Sequence, residues 1–190
     1  MTPDLLPLFE SINNEVIQLS YRWKIYLQLF DSGEENLHLL NTSGSNVFQI
    51  LQKLIVDDTI LALYRLTDKE KSSGQENASI KNFLTKATPY LNQASLDELS
   101  RTLIGLNFCV ENLRAHRNKT IAHKDLDHAV GTKQLPDVNY DDLENSMENL
   151  RKIMSTLGKE LFNWQTCYSV VSLPGHDGTG LLGVLKKARG

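Results

Sequence analysis

The sequence predicts an all-α fold, a four-to-five-helix up-down bundle. Three observations predict it. Four long segments carry apolar residues in steps of three and four, the spacing that lines one face of an α-helix. The polar breaks between them are too short to hold another domain. No run alternates apolar and polar residues for long enough to predict a sheet.

The first long segment runs from about Leu5 to Phe30, with Phe9, Ile12, Val16, Leu19, Trp23, Tyr26 and Phe30 on one stripe. Asp31-Ser32-Gly33 breaks it, a short helix covers Glu34 to Leu40, and Asn41 to Ser45 punctuates the chain again. The second runs from about Val47 to Leu66, where Val47, Leu51, Leu54, Asp58, Leu61 and Arg65 keep the same steps. Lys69 to Asn77 is a polar loop, and a minor helix covers Ser79 to Thr88, ending before Pro89. The third opens at Ser95-Leu96-Asp97-Glu98, which matches a capping box, and carries Leu99, Leu103, Leu106, Val110 and Leu113. Asp125 to Val138 reads as a loop. The fourth starts near Asn139 or Asp141 and carries Leu143, Met147, Leu150, Met154, Leu157, Leu161 and Trp164. Residues 1–168 thus form one helical domain; residues 169–190 are a C-terminal tail with an extended stretch at Val170 to Leu173, a loop to Gly180, and either a short helix or a basic tail from Leu181 to Lys187. The stripes also resemble coiled-coil seams, so helices of two protomers can pair and the bundle can dimerise.

Composition bounds the function. A chain of 190 residues, 41% apolar and 23% charged, buries roughly 70% of its unfolded surface and needs no disulfide or metal to hold a core. Its net charge of −3 supplies no global field for nucleic acid, so any polyanion must meet a local basic patch. Cys109 and Cys167 stand in no metal-like or redox spacing and read as buried, reduced thiols. The amino terminus shows no basic region leading into an apolar run, and charge interrupts every apolar stretch, so no membrane span is expected and the cytoplasm is the default location.

One segment concentrates chemistry. The step of four after Leu113 lands on Arg117, and a cation on an apolar stripe must find a partner or face a cleft. It either snorkels to the rim, near Asp58 and the neighbours of Arg65, or serves a site. His123 lies six residues on, about 120° around a helix from Arg117, so the two converge only if the helix frays or two copies meet. His116 shares a face with His123, and a histidine in a last helical turn also suits the macrodipole with no chemistry at all. Arg114, Arg117, Lys119 and Lys124 with both histidines form a basic patch suited to phosphate, or an ordinary solvated face. Asp58 either forms an internal ion pair with Arg65 or orients Arg117 from a neighbouring helix. A metal cluster drawn from His123, Asp125, Asp127 and His128 is weak, because such polar loops are common; no metal and no cofactor is expected.

Arg117-Asn118-Lys119-Thr120-Ile121-Ala122-His123 resembles the signature of the HEPN superfamily: an arginine, a polar residue, and a histidine after four to six intervening positions. Trp23-Lys24-Ile25, Asp57-Asp58 with Arg65-Leu66-Thr67-Asp68, and Ile121 to Asp125 resemble the abortive-infection AbiU-type branch, over roughly Ile12 to Trp164. The resemblance implies a HEPN-like dimer with two motifs facing one cleft, and a metal-independent endoribonuclease used as a toxin or phage-defence effector. His123 is then the general acid or base, Arg117 holds the phosphate and Asn118 positions one or the other; Arg114, His116, Lys119 and Lys124 touch RNA, supported by Asp58 and Arg65. The partners implied are RNA, a second copy and a nucleotidyltransferase-type antitoxin. Where some relatives carry a tyrosine that such an antitoxin modifies, this chain has Asp125. Some HEPN domains only bind, so the alternatives are a non-catalytic RNA- or nucleotide-binding module and a dimeric helical adaptor.

Overall fold

The computed structural model describes residues 5–118, 137–168 and 175–189. Apart from one short hairpin, its regular elements are helices, and the fold is an all-α bundle. The chain divides into two compact units, Met1–Val16 with Ile60–Thr166 and Ile17–Thr59 with Cys167–Gly190.

Helix α1 (Leu6–Phe30) forms as its stripe predicts, with Phe9, Ile12, Val16, Leu19, Trp23 and Tyr26 buried and Leu29, rather than Phe30, closing the row. Helix α2 (Glu34–Thr67) bears out one expectation and corrects another. The punctuation at Asn41 to Ser45 is a kink at Gly44, which leaves helical geometry (φ 172°, ψ 59°) and joins two helical stretches. The expected stripe is misplaced, because Val47 is 66% and Leu54 59% exposed, whereas Ile55, Val56, Ile60, Ala62, Leu63 and Leu66 are buried. Runs such as Ile60-Leu61-Ala62-Leu63 put apolar residues on several faces, so spacing alone admits more than one stripe.

The expected loop after α2 contains a hairpin, β1 (Lys71–Ser72) antiparallel to β2 (Gln75–Glu76). Ser73 (φ 50°) and Gly74 (φ 82°) both take left-handed conformations, as a two-residue hairpin loop with the strand-matching twist requires. Helix α3 (Ile80–Ala87) is capped by the Ser79 side chain, which accepts from the Asn82 amide. Pro89 then lies in a 3₁₀ turn, Thr88–Tyr90. Helix α4 (Gln93–Asn112) begins earlier than the predicted capping box. Asn92 is its cap, accepting from the Ser95 amide at 2.9 Å, so Ser95 lies inside the first turn. Asparagine caps as well as serine, and three further residues become helical.

A helical turn, α5 (Arg114–His116), follows α4, and α6 (Tyr140–Phe162) begins at the expected Asn139 cap. In the first unit α4 packs against α6, and Leu99, Leu106 and Val110 of α4 are buried together with Leu143, Met147, Leu150 and Leu157 of α6. Phe9 sits among Phe83, Phe162 and Trp164, with ring centroids 5.8, 4.8 and 5.8 Å away. Asn163 closes α6 in the left-handed region (φ 55°), and the Trp164 amide donates to the Gly158 carbonyl at 3.0 Å.

In the second unit the C-terminal segment is a helix, α7 (Gly178–Arg189), which settles the choice between helix and tail. Leu182 packs with Leu29, Leu39 and Leu40. Gln28 fixes its start, donating to Asp177 at 2.8 Å and accepting from the Gly178 amide at 3.0 Å.

Candidate functional site

The site is built where α4 ends. Leu113 takes φ −85°, ψ −3°, which interrupts the helix one residue past Asn112. The backbone turns again through α5, and the Arg117 amide donates to the Leu113 carbonyl at 3.1 Å. The expected four-residue step from Leu113 to Arg117 is therefore one helical turn closed by that bond, set off from α4 by the break at Leu113.

The break brings Arg117 to a cleft of about 340 Å³ in the first unit. Leu61, Tyr64 and Arg65 of α2 line one side, with Asp68 and Lys69 just beyond that helix. Arg114, Arg117 and Asn118 complete the lining. Among the described residues, four cationic side chains and one carboxylate thus line the cleft.

Tyr64 organises this cleft. Its hydroxyl donates to the Val110 carbonyl at 2.8 Å, satisfying an acceptor at the end of α4 where helical partners run out. Burial first, then the negative charge of Glu111, pushes its phenol up to about 12, against the opposing pull of Arg114 and Arg117. The phenol is therefore a neutral donor near neutral pH. Above its ring stands the Arg117 guanidinium, 5.4 Å from the centroid, within reach of a cation–π attraction. Arg117 Nη1 donates to Asn118 Oδ1 at 2.8 Å, while its Nε is buried and has no partner among the described residues.

The other cations are held differently. Arg114 donates to Glu111 at 2.6 Å, and that carboxylate pushes its pKa up. Arg65 directs Nε and Nη2 at Glu15 Oε1, at 3.1 and 2.7 Å. The internal Asp58–Arg65 pair therefore does not form. Seven residues span about 10 Å of helix axis, too far for direct contact, and each group takes a nearer partner. Asp58 belongs to the second unit and pairs there with Arg22 at 2.7 Å. His116 is half-buried on α5. Lys119, His123 and Lys124 lie outside the described residues, as does the loop from which a metal cluster could be drawn.

Thus the structure gathers Arg65, Arg114, Arg117 and Asn118 at one cleft and adds Tyr64, Asp68 and Lys69, which the sequence pattern alone did not single out as site residues. The available signal was position: Tyr64 and Lys69 flank Arg65 to Asp68, a stretch already distinctive on its own. Among the described residues no group of three or more His, Cys, Asp or Glu could hold a metal ion, and no helix is long and apolar enough to cross a membrane.

A family model described as AbiU2, of the HEPN type, matches residues 2–171. No curated protein and no solved structure matches the chain. With nearly its whole length matched and the helical fold that the motif implies, this chain belongs to the AbiU2 family of HEPN domains.

Proposed function

We propose that the protein is a metal-independent endoribonuclease of abortive-infection or toxin–antitoxin biology, acting in the cytoplasm as a homodimer. The observation that carries this reading is Arg117: a guanidinium over the Tyr64 ring, hydrogen-bonded to Asn118, with a buried Nε that has no partner among the described residues, in a cationic cleft of a HEPN-family chain. In the reaction the RNA 2′-oxygen bonds to the adjacent phosphorus as the bond from phosphorus to the 5′-oxygen breaks. One group takes the 2′-hydroxyl proton and another protonates the leaving 5′-oxygen. His123 serves as acid or base, a role worth roughly 10²–10⁴-fold, and two copies of the motif supply both groups. Arg117 binds the phosphate and stabilises the charge that develops on it, oriented by Asn118. Arg114, His116, Lys119 and Lys124 guide the strand, and a nucleotidyltransferase-type antitoxin is the expected regulator.

The test is cleavage of labelled RNA in the presence of a metal chelator. Wild type should cleave, while His123→Ala and Arg117→Ala should lose cleavage with circular dichroism unchanged; sedimentation should give a dimer. A wild-type chain that binds RNA through Arg117 but leaves it intact replaces the enzyme with a binding module. A monomer with intact activity removes the shared cleft.

A further inference from the structure

The cleft's cations fall into two classes. Arg65 and Arg114 each engage a carboxylate, Glu15 and Glu111. Arg117 and Lys69 have no carboxylate partner among the described residues. Asp68, the one carboxylate lining the cleft among the described residues, is engaged locally, accepting from the Lys69 amide at 2.8 Å and from Asn77 Nδ2 at 3.3 Å. Lys69 is also fixed in place: its carbonyl accepts from Asn77 Nδ2 at 2.9 Å and from Ser79 Oγ at 3.4 Å. Three hydrogen bonds therefore hold its backbone at the foot of the hairpin, while its side chain is exposed at the cleft.

We infer that Lys69 is a phosphate-binding residue that works with Arg117 as a two-sided clamp on the strand backbone, one cation from each side of the cleft. This deepens the RNA reading above and rests on it for the identity of the ligand. The chemistry is that of an anionic oxygen meeting one planar guanidinium and one compact ammonium. The buried Arg117 Nε adds a donor with no partner among the described residues. Arg65, four residues before Lys69 in the sequence and of equal charge, lies outside the clamp because both its directed donors are spent on Glu15.

Arg65 is accordingly the matched control. The probe is a fluorescent, fully 2′-O-methylated oligoribonucleotide, which cannot be cleaved, titrated by anisotropy over a range of salt concentrations. One lost contact to single-stranded nucleic acid lowers the salt slope by about 0.7, equivalent to about fivefold in affinity near 0.1 M salt. Lys69→Gln should show both effects with an unchanged melting temperature. Arg65→Gln should lower the melting temperature and change the slope by much less. Equal slopes for the two variants, or an unchanged slope in Lys69→Gln, overturn the clamp. If wild type cleaves RNA while Lys69→Gln binds like wild type, the clamp fails and the nuclease reading stands. If binding depends on Lys69 but no RNA is cleaved, the clamp stands without the nuclease. A wild-type chain that does not bind the probe removes both.

Discussion

Tyr64 offers the sharpest test of how the site is held. Tyr64→Phe removes the hydroxyl that donates to the Val110 carbonyl at 2.8 Å but keeps the ring. That carbonyl also accepts from the Leu113 amide at 3.1 Å, so it is not orphaned. The loss is the net value of one hydrogen bond, about 1 kcal/mol, or about 2–4 °C in melting temperature for a chain of this size. Tyr64→Leu removes the ring as well, and with it the attraction to the guanidinium 5.4 Å from its centroid. At a half-exposed position that adds about 0.5–1 kcal/mol.

Leucine and phenylalanine also differ in shape, so the comparison must be repeated without the guanidinium. Chemical denaturation of both variants, in the wild-type and Arg117→Ala backgrounds, isolates the ring–guanidinium term. The Leu–Phe difference should shrink by about 0.5–1 kcal/mol when Arg117 is absent. A difference that stays undiminished means that the Tyr64 ring does not hold Arg117 and that the guanidinium owes its position to something else.

Phe9 is fully buried among three other aromatic rings, so Phe9→Ala should cost about 3–5 kcal/mol in denaturant titration, and a loss below about 1 kcal/mol contradicts that packing. In the native chain iodoacetamide should label exposed Cys167 and spare Cys109, whose thiol is buried and pushed up by burial and then by Asp142; peptide mass spectrometry showing equal labelling refutes this. The Tyr64 phenol, raised from 10.0 to about 12, binds its proton more tightly in the folded state. Its contribution is complete below pH 10 and shrinks between pH 10 and 12, so Tyr64→Phe should lose stability less steeply than wild type there, and parallel curves refute the assignment.

Helices α1 and α6 were legible because their buried apolar residues recur in steps of three and four along one face. α2 was legible only as a helix, because Ile55-Val56 and Ile60 to Leu63 leave several stripes open, and burial elsewhere decided between them. The hairpin escaped because two-residue strands have no period to read; Ser73-Gly74 was its one local sign. At α7, Gly178-Thr179-Gly180 argues against a helix on propensity. What makes it one is tertiary: Asp177 accepts from the Gly180 amide at 3.3 Å, Gln28 anchors its first residue, and Leu182 is buried.

Arg117 was singled out by counting along a stripe, and the helical turn after Leu113, closed by the Arg117 amide on the Leu113 carbonyl at 3.1 Å, places it at the cleft. Nη1 reaches Asn118, the guanidinium carbon lies over the Tyr64 ring, and Nε is buried with no partner among the described residues. Such a donor costs about 1–3 kcal/mol while it lacks an acceptor, and an anionic ligand oxygen that reached it would recover that amount. On the proposed reading, a phosphate that reached Arg117 would meet a guanidinium with no carboxylate partner among the described residues, whereas at Arg65 and Arg114 it would first have to displace Glu15 and Glu111.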